Sequence, residues 1–419
     1  MKNSSRPVAL VVLALGSIAF VALAVWLVPW HPVPGGTPSP VPADQVFSAS
    51  HLERAESFAR QARMLSCSSL ALSLVVGSIL GFSSWGRRLM DRLAGPWWLQ
   101  VTLGAGLVLL AGRLATLPLS LALRSRLLDY GLSNQSLAGY FRDVGTSFLL
   151  GWLVSAIVLL VLVGSARRWS RAWPAVAGVS LAGLVMVGSF VYPVLIEPLF
   201  NHFEPLPAGA LRTQILDLAQ QEGVRVDDVL VSDASRRTTT LNAYVSGYGD
   251  TRRIVVYDNL VDDLPVDETL SVVAHELAHA RFNDPLLGSA LAAAGVFAAV
   301  GLLGLILGSG RRRGLPGLDQ AAVVPLVIVL TSWGSLLASP VQNTISRSIE
   351  TRADVAALQT TRDPDAFIAV QRQLAVRGLN DPTPPAISQL WFGSHPTSLT
   401  RIAIAEQLAP GLTGDRVAK

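Results

Sequence analysis

The chain has 419 residues, of which 51% are hydrophobic and only 15% charged, with a mean hydropathy of +0.45. That composition excludes an ordinary soluble domain, in which about a quarter of the residues are charged. The net charge of +4 is small, and the arginines stand in short runs beside apolar segments: Arg87, Arg88 and Arg92; Arg167, Arg168 and Arg171; Arg311, Arg312 and Arg313. This is the pattern of charged loops flanking membrane spans rather than a continuous basic face, so a nucleic-acid partner is excluded.

In chain order, seven apolar segments reach the roughly 20 residues needed to cross a bilayer. They are 8–30, 65–85, 97–121, 147–165, 174–196, 286–309 and 321–340. The first reads as a retained span, because its apolar stretch is too long for a signal peptide and no small-residue cleavage site follows it. Residues 31–45 are rich in proline and read as an extended linker. A polar, helical stretch at 47–63 leads into the second span. Cys67, the single cysteine, lies in that span; it excludes an intramolecular disulfide and reads as a small buried hydrophobe. Arg113 is the main ionisable residue inside a span, too isolated to mark the translocation path of a transporter. Residues 130–143 form a polar re-entry loop with turn-forming residues.

The longest stretch outside the membrane is 197–285. It carries a helical pattern at 211–222, a strand at 228–231, and strand-like runs at 238–246 and 253–257. The turn between those two runs, 247–251, has the Gly and Asp of a hairpin. A helical segment at 267–281 follows, with Leu270, Val273, Leu277 and Ala280 as its apolar stripe, an acidic start and a basic end.

That helix contains His275-Glu276-Leu277-Ala278-His279, an HExxH motif. Positions i and i+4 share a helix face, so His275 and His279 can grip one zinc ion, with Glu276 beside it to take a proton from water. With six histidines and nine glutamates in the chain, chance produces this pattern in about two of a thousand such sequences. A catalytic zinc normally has a third protein ligand. Beyond the last two spans, Glu350 and Asp354 are again i and i+4: Glu350 can bind zinc, and Asp354 can hydrogen-bond a ligand histidine. The hairpin ahead of the motif offers a sheet edge that can hold an extended peptide, or it is structural only.

Several separated motifs then align with one family. HELAH (275–279), NTISRSIETRAD (343–354) and SHPTSLTRI (394–402), with YPVLIEPLFNHFEPLP (192–207), LNAYVSGYGDTRRIVVYDNL (241–260) and the YGLSNQSLAGYFRD loop (130–143), resemble the type I CAAX prenyl proteases and the related HtpX-type membrane zinc peptidases. The resemblance covers about residues 125–405. It implies a mainly α-helical membrane protein of seven spans enclosing a chamber, with a gluzincin-like zinc peptidase domain built on a small β-sheet. It divides the chain into an N-terminal membrane domain (1–196), the first part of the peptidase domain (197–285), a transmembrane hairpin (286–340) and the C-terminal part of the peptidase domain (341–419).

The resemblance also implies roles. His275, His279 and Glu350 would ligate one Zn2+ ion, and Glu276 would act as general base. Asp354 would orient a ligand histidine, His395 would help stabilise the oxyanion, and Arg401 would brace its loop. Asn242, Ala243 and Tyr244 would pair with substrate backbone. Substrates would be peptides or membrane proteins, lipidated ones among them, at a multi-pass cell-membrane enzyme. Unlike some eukaryotic members, the chain has no long acidic insertion between 253–257 and HELAH.

Three rivals stand beside this reading: a proteolytically inactive zinc-binding scaffold, a site-2-type intramembrane protease, and a transporter, against which the scarcity of ionisable residues in the spans argues. Intact Glu276 argues against the first. Against the second, Asp267, Glu268 and Arg281 at the ends of the motif helix argue that it is not a span. The side of the membrane stays open. Lys and Arg number 11 on the side of the N-terminus and six in the loops opposite, which puts the catalytic segments outside the cytoplasm. The better-known family members have theirs on the cytosolic face.

Overall fold

The computed structural model describes residues 5–249, 252–310 and 315–413; the Arg311–Arg313 run and the last two residues of the expected 247–251 turn lie outside them. Among the described residues, seven helices are long and apolar enough to cross a membrane: Arg6–Leu27, Ala49–Phe82, Trp97–Asp129, Leu137–Arg168, Trp173–Leu199, Asp284–Leu307 and Ala321–Thr361. The chain is therefore a multi-pass membrane protein, with each span where the hydropathy put it. The first span packs into the bundle against the sixth. A Cβ on Gly301 would come within 2.4 Å of the Leu13 backbone nitrogen, so glycine there is what lets the two helices touch.

Several spans outrun the bilayer. The second is a helix of 34 residues, about 50 Å long against a hydrocarbon core of about 30 Å. The polar stretch expected at 47–63 is its outer part, started by Ser48, whose hydroxyl accepts the His51 N–H at 3.3 Å. Residues 137–143 of the expected loop likewise open the fourth-span helix. The seventh-span helix, Val324–Thr361, passes through Pro340 without a break and carries Glu350 and Asp354 on its extension.

One expectation fails on this membrane part: Cys67 is exposed, not buried. The second-span helix buries only Ala55, Phe58 and Leu74. Lipid solvates the outward face of a span, so a small thiol there loses little by staying outside the core.

Outside the membrane lies a mixed sheet of four strands in the order β1-β2-β4-β3: β1 Phe203–Pro205, β2 Asp228–Ser232, β3 Ala243–Ser246 and β4 Arg253–Tyr257. β2 and β4 are parallel, and the outer pairs are antiparallel. β1 escaped the sequence reading. It is three residues long and ends in a proline, which an edge strand tolerates. The run expected at 238–246 is strand only from Ala243, because the Asn259 amide takes the Thr238 and Thr240 carbonyls at 3.3 and 2.9 Å, away from any ladder. The motif helix Val266–Arg281 packs Val273, Ala274 and Leu277 onto Val229, Ile254 and Val256 of the sheet. Its histidine face is thereby turned toward the seventh-span helix.

Candidate metal centre

The motif helix has no glycine or proline inside it, begins with Asp267 and Glu268, and ends with His279 and Arg281, as its dipole favours. It stops at Phe282 because Asn283 takes a left-handed conformation (φ 54°), which asparagine tolerates better than most residues. The sixth span then begins at once with Asp284.

One turn apart on this helix, the Nε2 atoms of His275 and His279 lie 3.2 Å from each other. Glu350 reaches in from the seventh-span helix, with Oε2 3.2 Å from His275 Nε2 and Oε1 3.6 Å from His279 Nε2. Metal–ligand bonds of about 2.0–2.2 Å in a tetrahedron place neighbouring ligand atoms about 3.3 Å apart. Two imidazoles and a carboxylate at these separations fit a zinc-sized ion, and one donor from each lies within 4.8 Å of the others.

Each imidazole is held from behind. His275 Nδ1 meets Asp354 Oδ1 at 2.9 Å, and Asp354, fully buried, is gripped through both oxygens by Arg401. His279 Nδ1 meets Asp284 Oδ2 at 2.8 Å, and Asp284 also accepts from Arg352. The Arg352 guanidinium lies 4.2 Å above the Phe282 ring. With both Nδ1 atoms committed to carboxylates, both Nε2 atoms are left to face Glu350.

These contacts set the electrostatics. Burial lowers the His279 pKa, but the hydrogen bonds to Asp284 and Glu350 outweigh it and push it up to about 10. Burial also lowers that of His275, which Asp354 and Glu350 raise overall. Burial pushes the Glu276 carboxyl above the usual carboxylate range, although the charges of His275 and His279 pull it down. A raised carboxyl is a better proton acceptor.

His395 stands at the rim, its side chain 57% exposed and its Nε2 3.2 Å from Glu350 Oε2. Its segment hangs on the seventh-span helix. Arg347 donates to the carbonyls of Gln389 and Gly393 at 3.1 and 2.6 Å, and Asn343 donates to the Trp391 carbonyl at 2.6 Å. Both residues belong to the NTISRSIETRAD motif, where no local pattern signals this task.

A cavity of about 440 Å3 brings the candidates together: Asn242, Ala243 and Tyr244 line one side, and His275, Glu276, His279, Glu350 and His395 the other. Asp354 and Arg401 lie behind it. β3 is the outermost strand there. The Tyr257 N–H donates to the Asn242 carbonyl at 3.0 Å, so by antiparallel alternation Ala243, itself buried, turns its own N–H and C=O away from β4 on the cavity side of the sheet.

Asp284 is the residue that sequence reasoning missed. Five positions past His279, it would leave the histidine face of an unbroken helix. Only the left-handed turn at Asn283 folds it back, and no spacing rule signals that.

Comparison with known proteins gives the family. The profile of Peptidase family M48 matches residues 205–409, and that of the CAAX prenyl protease N-terminal region, five membrane helices, matches 37–202. The uncharacterised metalloprotease YhfN of Bacillus subtilis (strain 168) is 31% identical over 320 residues, 75% of each chain. A CAAX prenyl protease 1 homolog of Arabidopsis thaliana is 31% identical over 285 residues, 65% of each. The crystal structure of S. mikatae Ste24p superposes with a TM-score of 0.75 over 95% of this chain and 99% of that one, at 20% identity, and shares its fold. The chain is thus a membrane metallopeptidase that belongs to peptidase family M48 and carries the membrane domain of the CAAX prenyl proteases.

Proposed function

We propose that the protein is a zinc endopeptidase that hydrolyses peptide bonds of membrane-associated or lipidated substrates, with His275, His279 and Glu350 as metal ligands. The single observation that carries the assignment is the trio of donor atoms at 3.2, 3.2 and 3.6 Å, each imidazole backed by its own carboxylate. When bound, the ion supplies Lewis acidity that polarises the scissile carbonyl and acidifies water.

The chain's own residues do the rest. Asp354 and Asp284 keep the proton of each ligand histidine on Nδ1. Glu276, raised in pKa by burial, accepts the proton of the attacking water and passes it to the leaving amine. His395, on the far side of Glu350, donates to the carbonyl oxygen as negative charge develops on it. The outward amide and carbonyl of Ala243 pair with an extended substrate, and Asn242 and Tyr244 flank that pairing. The site sits where the sixth span starts and the seventh continues outward, which supports a substrate presented from the bilayer.

Full-length protein purified in detergent, incubated with prenylated and unprenylated peptides and read by mass spectrometry, tests this. Cleavage that stops with a chelator and with Glu276→Gln, whose metal content stays at the wild-type level, is expected. Wild-type cleavage rates in Glu276→Gln contradict the mechanism.

A further inference from the structure

The outer strand β3 has a ladder partner on one side only, yet its backbone must hold its position if a substrate is to pair with it. What holds its entrance comes from the membrane domain. The loop between the third and fourth spans, 130–136, grips the segment 235–240 that leads into β3. Ser133 Oγ donates to the Arg237 carbonyl at 2.7 Å, and the Asn134 N–H donates to the same oxygen at 3.3 Å. Thr239 Oγ1 donates to the Gly131 carbonyl at 3.0 Å, and the Asn134 amide to the Ser235 carbonyl at 3.2 Å.

The loop itself is fixed. Arg54 of the second span donates to the Tyr130 carbonyl at 3.0 Å, Arg124 of the third to the Gln135 carbonyl at 2.6 Å, and Leu132 is buried with Ala55 and Phe58. Beside the gripped segment lies a polar cavity of about 450 Å3, lined by Gly131, Asn134, Thr238, Thr239, Asn259 and Arg377. Without the grip, the segment has room to relax into that space, and β3 follows three residues after Thr240.

We infer that this loop is a clamp by which the membrane domain sets the register of the substrate-docking strand, with Ser133 and Thr239 as positioning residues. The inference rests on the docking role given to β3 above. The clamp touches neither the metal ligands nor Glu276, so its loss weakens substrate binding and leaves the chemical step alone.

The test is the pair Ser133→Ala and Thr239→Val in the full-length protein, assayed on a peptide long enough to lie along β3. KM is expected to rise about fivefold or more, with kcat within about twofold and metal content unchanged, since two hydrogen bonds between the loop and the segment are lost. Thr239→Ser, which keeps the hydroxyl, is expected to return toward the wild-type KM. Hydrogen exchange over residues 241–246 is expected to quicken in the double variant, a readout that needs no activity. Ala243→Pro, which removes the outward N–H, separates the two levels of the argument. If Ala243→Pro raises KM and the clamp variant changes neither KM nor exchange, the clamp is wrong and the docking strand stands. If Ala243→Pro also leaves KM unchanged, the docking strand itself is wrong. A fall in kcat and metal content at unchanged KM overturns the clamp as well.

Discussion

The two halves of the candidate metal centre are built alike and rooted differently. His275 is backed by Asp354 and Arg401, from the extension of the seventh-span helix and the C-terminal helix Ser398–Thr413. His279 is backed by Asp284 and Arg352, and Asp284 is the first residue of the sixth span. On the His275 side the supporting carboxylate is fully buried, and its arginine holds both oxygens. On the His279 side the support reaches across a left-handed turn, and its arginine lies closer over an aromatic ring, 4.2 Å above Phe282 against 5.8 Å for Arg401 above Phe367. One supporting carboxylate thus comes from the extension of the seventh-span helix and the other from the start of the sixth, and Arg352 ties the second to the same seventh-span helix.

The largest effect is expected where the halves meet. Glu350 touches both histidines, so Glu350→Gln is expected to lose activity by about 1,000-fold or more, since no third ligand remains to hold the ion. A peptide-cleavage assay beside a metal analysis reads both losses. His395→Ala, outside both halves, is expected to lower kcat by about 100-fold with metal retained, the usual scale for removing one oxyanion donor.

The next two variants compare the halves directly. Asp354→Asn leaves Arg401 buried without its counter-charge, so metal affinity is expected to fall toward 100-fold and the folded state to lose about 3–5 kcal/mol. Competition with a chromophoric chelator and thermal unfolding measure the two. Asp284→Asn is expected to weaken metal binding by nearer 10-fold, with a smaller loss of stability, because Arg352 keeps its place on Phe282. Equal losses in the two variants would erase the contrast between the halves.

Much of this was legible because it follows helical or strand periodicity. HExxH and the Glu350–Asp354 pair each depend on i, i+4 spacing, and both sit on unbroken helices. Strand β4 lies where alternation placed it, at Arg253–Tyr257. Features set by long-range contacts were not legible. Asp284 needs the turn at Asn283, and the work of Asn343 and Arg347 depends on carbonyls more than 40 positions away. Residues 238–240 look like strand by composition but are claimed by Asn259 and the membrane-domain loop. His395 and Arg401 carry no local signal and came from the family resemblance alone. Cys67 misled because an apolar span has two kinds of apolar surroundings, protein and lipid, and composition does not separate them.

The central claim is a three-ligand zinc centre shared between the motif helix and the seventh-span helix. Its most direct measurement is the zinc content of the purified full-length protein, wild type beside Glu350→Ala. One zinc ion per chain is expected in the wild type and a large loss in the variant. Full zinc occupancy with Glu350 replaced would contradict it.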